Sequence, residues 1–589
     1  MTDPTTSTTV AAARKFLAED PDADTRAELT ALLDKAESGD AAAHADLEDR
    51  FAGTLQFGTA GLRGKVEAGT MRMNRVVVLK ATHGLGAYLL AAHVDAGKRG
   101  VVIGYDGRLS SRQFAEDAAA VLCAQAIPVH MAIDPISTPQ CAYTVEKLGA
   151  CAGIMVTASH NPPADNGYKV YWGNAAQIIP PHDTGIAAMI DKAPAANAIA
   201  RMSPPDASAK GLRRLLNDDV ERAYLDGIRA LAWHGPPSRS TQAGPSGGLP
   251  QVGTPVPLRI VYTAMHGVGH RCAIRALAAA GFHGVVDVPT QADPDGTFRT
   301  VAFPNPEEKG ALDRALAVAT ESNADVILAN DPDADRLAVA VSTDSGWRML
   351  TGNEIGILLC ADALDHYPVP AGMKKLVITS IVSSTFLSRM AKDKGAAYAE
   401  VLTGFKWIGN EALRRRPLGE EFVCGYEEAL GYSVGPLVRD KDGIGAAVRF
   451  AEMMRSHKAQ GVSIPQRLDA LSVAHGMSHA VNWSVTMPGA TGMAKIKDAM
   501  ASLRKQPIAS LDGTGARFVD LAPSADVVVF HTEDGARLTV RPSGTEPKIK
   551  MYFEMVARVT SPAEIAGAKG KLEERGLRVK SEVSKRLGL

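Results

Sequence analysis

The sequence predicts an α/β fold, three similar mixed-sheet α/β domains followed by a smaller α+β C-terminal domain, and three observations carry that prediction. At 589 residues the chain is too long for one core, so three to four domains are expected, and 46% hydrophobic residues can fill them. From Val101 onward, apolar runs of strand length alternate with stretches of helical period, the pattern of mostly parallel sheets covered by helices. Past Gly461 that alternation gives way to a unit of different character. These changes place the domains at 1–212, 213–345, 346–465 and 466–589.

In chain order, the Thr-rich start to Thr9 is expected to fray, and 11–51 carries helical periodicity with Asp22, Asp24 and Thr25 as candidate caps and Gly39-Asp40 as a break. In L-Q-F-G-T-A-G-L-R-G, ending at Gly64, three glycines surround Arg63, so bare backbone and a guanidinium could together approach a phosphate. Strand 101–105, helix 113–126, strand 128–133, helix 139–148 and strand 151–156 follow. Asp106-Gly-Arg108 and Ser110-Ser111-Arg112 lie past the first of these strands, at a carboxyl end where open sheets collect ligands. The stretch T-A-S-H-N-P-P-A-D-N-G-Y-K, Thr157 to Lys169, then puts Ser159 just past a strand end. There its hydroxyl is expected to be exposed, on a loop that Pro162 and Pro163 keep out of helix and strand. The Ala- and Pro-rich 188–207 reads as a helix end and connection.

The second unit carries a Pro/Gly/Ser insertion, 236–257, expected to be a mobile loop. Around it run strand 259–263, helix 271–280, strand 284–288, helix 307–322 and strand 325–328, which delivers N-D-P-D-A-D-R, Asn330 to Arg336. In an extended loop Asp331, Asp333 and Asp335 would face one way, and three crowded carboxylates call for a cation. Oxygen ligands alone point to magnesium. An EF-hand is rejected, because its sixth and twelfth positions would be Arg336 and Ser342 rather than glycine and glutamate.

The third unit opens with a capped helix near Asn353 and continues with strand 375–382, helix 384–394, strand 396–402, helix 406–416 and strand 422–426. Its loops T-G-F-K-W, from Thr403 with Lys406, and G-Y-E-E-A, with Glu427 and Glu428, offer a cation beside aromatics and two carboxylates suited to sugar hydroxyls. In the last unit R-P-S-G-T-E-P lies between strands 537–540 and 549–556. There Arg541, Ser543, Gly544 and Thr545 make a phosphate cradle of guanidinium, hydroxyls and concave backbone.

Composition excludes other classes. Lys plus Arg total 64 against 65 Asp plus Glu, with no run of like charge that would bind nucleic acid or an anionic membrane. No apolar stretch reads as a membrane span or signal. The six cysteines lack C-x-x-C spacing and sit mostly in apolar runs, as reduced core thiols of a cytoplasmic protein would.

Together the motifs T-A-S-H-N-P, D-P-D-A-D-R, G-Y-E-E-A and R-P-S-G-T-E-P resemble, in order and over nearly the whole chain, the α-D-phosphohexomutase family, most like its phosphoglucomutase/phosphopentomutase branch. The resemblance implies a four-domain protein around a central cleft. It implies that Ser159 is a phosphoserine whose phosphate binds one Mg²⁺ per active site with Asp331, Asp333 and Asp335. Arg63 and Lys169 would flank the transferring phosphate, with Lys169 or His160 handling the proton, and Arg336, Thr403, Lys406, Glu427 and Glu428 would meet the substrate. Arg541, Ser543, Gly544 and Thr545 would grip its other phosphate. Ala429 departs from the serine common in the family, which puts one hydroxyl contact in doubt. The implied activity is interconversion of hexose 1- and 6-phosphates, glucose first, with glucose 1,6-bisphosphate as intermediate and activator. The alternatives are a phosphomannomutase, a phosphopentomutase or a sugar-bisphosphate synthase. A monomer or dimer acting on small-molecule sugar phosphates is expected, with no nucleic acid or membrane partner.

Overall fold

The computed structural model describes residues 4–56, 61–234, 257–487, 489–543 and 548–588. They form two compact units, one from the described residues up to Leu350 together with Gly431–Glu452, the other from Thr351–Leu430 and Met453 onward.

The first unit begins with helices Pro4–Glu19, Ala23–Glu37 and Ala41–Phe51. Asp22 and Asp40 cap the second and third by accepting from the first free backbone amides. The described part of the Thr-rich start is helical rather than frayed, since Pro4 supplies the fixed φ of a first turn. A six-stranded sheet follows in the order Leu62–Lys65, Asp165–Trp172, Ala152–Val156, Val101–Tyr105, Val129–Met131, Arg213–Leu215. From Ala152–Val156 to Arg213–Leu215 the pairing is parallel, whereas Asp165–Trp172 runs antiparallel to both of its neighbours. The stretch from Thr157 to Lys169 is therefore not loop throughout: from Asp165 on it belongs to a strand whose residues from Asn166 to Tyr171 are buried. The apolar helix Arg75–Ala92 packs on this sheet through Val78, Leu85 and Leu89.

A second sheet of the same unit has the order Gly346–Met349, Leu337–Thr343, Val326–Asn330, Ile260–Thr263, Val286–Asp287. Its last three strands are parallel and Leu337–Thr343 is antiparallel. The helix expected over 307–322 starts only at Asp313, after turns through Asn305 and Gly310. The insertion at 236–257 lies outside the described residues save for Pro257.

In the second unit Lys374–Ser380 pairs in parallel with Ala397–Val401 and Glu420–Glu427, and helix Gly352–His366 starts from a capping box of Thr351 and Glu354. The C-terminal sheet is antiparallel, in the order Met477–Thr486, Lys548–Ala557, Arg537–Pro542, Val528–Thr532, Thr514–Asp520, Ser510–Leu511. Helix Pro562–Leu587 buries Leu572, Val579 and Val583 in its core. All six cysteines are buried free thiols, and no helix among the described residues is long and apolar enough to cross a membrane.

Candidate active site

In the first unit both motif loops occupy the same place, the turn between a central parallel strand and its antiparallel neighbour. Ala152–Val156 leads through Ser159 to Asp165–Trp172, and Val326–Asn330 leads through the aspartates to Leu337–Thr343. Ser159 is 1% exposed, so the expectation of an exposed hydroxyl fails: the Oγ donates to Asp331 Oδ2 at 2.6 Å and lies 3.2 Å from His160 Nδ1. Its φ of +53° is a left-handed conformation unusual for a residue with a side chain, and the Ser159 amide is anchored on Thr157 Oγ1 at 2.8 Å.

Asp331, Asp333 and Asp335 are all fully buried, and one oxygen from each lies within 4.8 Å of the others. Convergence comes from a tight turn rather than an extended loop, because Ala334 N bonds Asp331 O at 2.8 Å and Ala334 has φ +56°. Gly267 holds that turn from outside. Val268 N donates to Pro332 O at 2.8 Å, and a Cβ on Gly267 would sit 2.3 Å from Pro332 Cα.

The buried Lys169 ammonium donates to Asp333 Oδ2 at 2.7 Å and Asp335 Oδ2 at 2.8 Å, and Lys441 also pairs with Asp335. Thr138 adds Oγ1 to Asp333 Oδ2 at 2.6 Å. Burial lowers the Lys169 pKa, but Asp333 and Asp335 prevail and hold it above the ordinary lysine value. Burial also pushes Asp333 up, yet Lys169 and Lys441 hold it well below the usual range; Asp335 is lowered by the same two cations against burial and Asp333. Asp331 has no lysine hydrogen bond among the described residues, and burial with its two acidic neighbours raises it to about 7. His160 is driven well below the ordinary histidine value by burial, Arg336 and Arg63, so its ring is neutral.

Arg63 reaches this centre because Leu62–Lys65 pairs with the strand that carries Lys169, with Arg63 opposite Gly167. It is driven down by burial against the pull of Asp333 and Asp335, and its Nε has no hydrogen-bond partner among the described residues. Arg336 closes the aspartate turn by donating its amide to Asp331 Oδ1 at 2.9 Å. Asp333 Oδ1 and Asp335 Oδ1 are buried without hydrogen-bond partners among the described residues. Two orphaned carboxylate oxygens beside a third aspartate fit a hard divalent cation, and all three donors are oxygen, as magnesium prefers.

The second unit assembles the other expected residues in two places. Glu427 ends its strand and accepts from Gly404 N at 2.7 Å, joining the sugar-type loop to the one that carries Thr403 and Lys406. Lys406 Nζ lies 5.7 Å from the Trp407 ring centre, and Glu428 N donates to Ser383 Oγ at 3.2 Å. Arg541 stands near the end of Arg537–Pro542 and Ser543 just past it, with Ser543 N bonded to Lys548 O at 2.7 Å. Gly544 and Thr545 lie outside the described residues.

Sequence reasoning missed Thr138 and Lys441. The first reads as a helix start and the second as one charge among several in R-D-K-D-G. Arg108 and Ser111, which the sequence places at a carboxyl strand end, turn inward to the protein's own groups. Arg108 spends its donors on backbone carbonyls of the serine loop, and Ser111 Oγ bonds Asp106 Oδ1 at 2.6 Å.

Four family models match in order: phosphoglucomutase/phosphomannomutase alpha/beta/alpha domain I over residues 54–197, domain II over 251–346, domain III over 351–472 and the C-terminal domain over 485–579. The chain belongs to the phosphoglucomutase/phosphomannomutase family, and it is a phosphohexomutase-type isomerase. It is 40% identical to a Haemophilus influenzae protein described as a probable phosphomannomutase, over 82% of this chain and 93% of that one. A mouse phosphopentomutase is 37% identical over 87% of this chain and 85% of its own, and a human glucose 1,6-bisphosphate synthase 33% over the same shares. A solved phosphoglucomutase/phosphomannomutase family protein from Burkholderia thailandensis superposes with a TM-score of 0.62 at 19% identity, covering 90% of this chain and 97% of that one, a likeness of fold.

Proposed function

We propose that this chain moves a phosphoryl group between the two ends of a sugar phosphate, carrying it in between on Ser159, and that glucose 1-phosphate is its leading substrate. One observation carries the reading: Ser159 Oγ lies against a buried aspartate trio with two unpartnered oxygens, with Arg63 and Lys169 beside it. Phosphate monoesters react slowly unless charge is neutralised and the acceptor aligned. A Mg²⁺ held by Asp331, Asp333 and Asp335 would offset charge on the phosphoryl oxygens. Arg63 and the Lys169 ammonium contribute positive charge from this chain's own atoms.

In the first half-reaction the Ser159 Oγ–P bond breaks as a bond forms from phosphorus to the sugar O6. The hydroxyl proton goes to a nearby base, and a 1,6-bisphosphate results. After the sugar turns round, Ser159 Oγ bonds to the phosphorus of the 1-phosphate as its P–O1 bond breaks, the base passes the proton on to O1, and the 6-phosphate leaves. His160, with Nδ1 near Ser159 Oγ, has a neutral ring open to a proton, whereas Lys169 is held charged by two carboxylates and suits the role of a cation. Arg336, Thr403, Lys406, Glu427 and Glu428 are proposed to read the sugar, and Arg541, Ser543, Gly544 and Thr545 its far phosphate. The six buried thiols are in keeping with a cytoplasmic location.

The names of the relatives favour a second reading equally: mannose or pentose phosphates as substrates, or release of the bisphosphate as product. Coupled assay of glucose, mannose and ribose 1-phosphates with catalytic bisphosphate, in wild type and Ser159→Ala, separates these. Turnover is expected to be highest with glucose 1-phosphate and absent in Ser159→Ala. Full activity in the alanine variant would end the phosphoserine proposal, and a preference for mannose or ribose would overturn the sugar assignment.

A further inference from the structure

The loop that presents Ser159 is held by one buried side chain from another strand end. Arg108, 3% exposed, donates Nη1 to Pro162 O at 2.7 Å and Asp165 O at 2.8 Å, and Nη2 to Ser159 O and Asn161 O at 2.7 Å each. Four carbonyls on one guanidinium are the whole hydrogen-bonding capacity of its terminal nitrogens. Its Nε faces Asp106 Oδ2 at 3.3 Å, and the same carboxylate oxygen accepts from Thr157 Oγ1 at 2.7 Å. Thr157 Oγ1 in turn accepts from Ser159 N. The peptide groups on both sides of Ser159 are thus tied to the Asp106–Arg108 pair, one through each partner. Between those two ties sits the left-handed φ of Ser159, a conformation that an untied serine leaves. The Phe298 ring, whose centre lies 5.1 Å from the guanidinium carbon, covers the clamp.

We propose that Arg108 is a positioning residue for phosphoryl transfer: it keeps Ser159 in the left-handed conformation that aims Oγ at Asp331, without touching substrate. The proposal rests on the reading of Ser159 as the phosphoryl carrier. A lysine at 108 keeps the charge but cannot span four carbonyls in two directions, so the loop relaxes and the hydroxyl moves. Misplacement on the scale of 1 Å lowers a transfer rate about 100-fold.

The test follows mass gain on Ser159 when the dephosphorylated full chain, with Mg²⁺, is mixed with glucose 1,6-bisphosphate. In parallel it follows the rise in melting temperature that Mg²⁺ produces. In Arg108→Lys the expected result is phosphate uptake slowed about 100-fold with the Mg²⁺-induced rise intact. In Arg108→Gln, added guanidinium ion is expected to restore part of the lost rate. Uptake at the wild-type rate in either variant overturns the proposal, and so does loss of uptake together with the Mg²⁺ response and no rescue, which marks a purely structural role. If the wild type itself takes up no phosphate on Ser159, the serine reading fails instead, and the two failures are told apart.

Discussion

Asp331 is the carboxyl of the trio whose charge its surroundings disfavour. Burial and two acidic neighbours raise this carboxyl to about 7, while Asp333 and Asp335 are kept ionised by Lys169 and Lys441. The sign of the consequence follows from linkage. As pH rises from about 4 towards 7 the unfolded chain releases this proton and the folded chain keeps it, so folding without metal weakens across that window and stays weakened above it. A cation that takes the place of the proton relieves the conflict, and it competes with a proton only below that pKa. The rise in melting temperature on adding Mg²⁺ is therefore expected to be larger at pH 8 than at pH 5.5. Scanning calorimetry at the two pH values, with and without chelator, checks it, and equal rises would show that Asp331 is ionised without metal.

The elements that carry the site are two turns of the same design, and the strand after Ser159 is packed too closely to accept a side chain at Gly167. A Cβ there would sit 2.5 Å from Thr157 O and 2.7 Å from Leu62 O, both backbone atoms. Gly167→Ala is expected to destabilise by about 1–3 kcal/mol and to lower activity, because it pries apart the strands that bear Arg63 and Lys169. Gly515→Ala, where a Cβ meets nothing within 4 Å, serves as the neutral comparison in thermal denaturation. That same strand was hidden in the sequence, since Asp165-Asn-Gly167 carries turn chemistry that tertiary pairing overrides. Helix Arg75–Ala92 was hidden for the opposite reason. Both of its faces are buried, which erases the helical period, and its interior glycines read as breakers although Gly86 makes room for Gln125 Oε1, 1.7 Å from where a Cβ would be. Parallel strands such as Val101–Tyr105 were legible as short apolar runs bounded by polar loops.

Across the whole molecule, legibility of the site followed contiguity. Ser159, His160 and the three aspartates stand in short runs whose residue types announce a chemistry. Thr138 and Lys441 gain their roles only from partners 195 and 106 positions away. The same is true of the contacts that make the site a site: Ser159 meets Asp331 across 172 positions and Lys169 meets Asp333 across 164. Contacts of such separation close after local helices and hairpins, because chain entropy must be surrendered before they reward it. Refolding from urea should therefore regain its far-ultraviolet circular dichroism well before it regains turnover, and simultaneous recovery would contradict this. A newly made chain whose secondary structure is complete can then still be chemically silent. Ser159 meets Asp331 only when the two sheets of the first unit have docked, so, on the reading of Ser159 as the phosphoryl carrier, an unfinished molecule would be kept from spending phosphate on water.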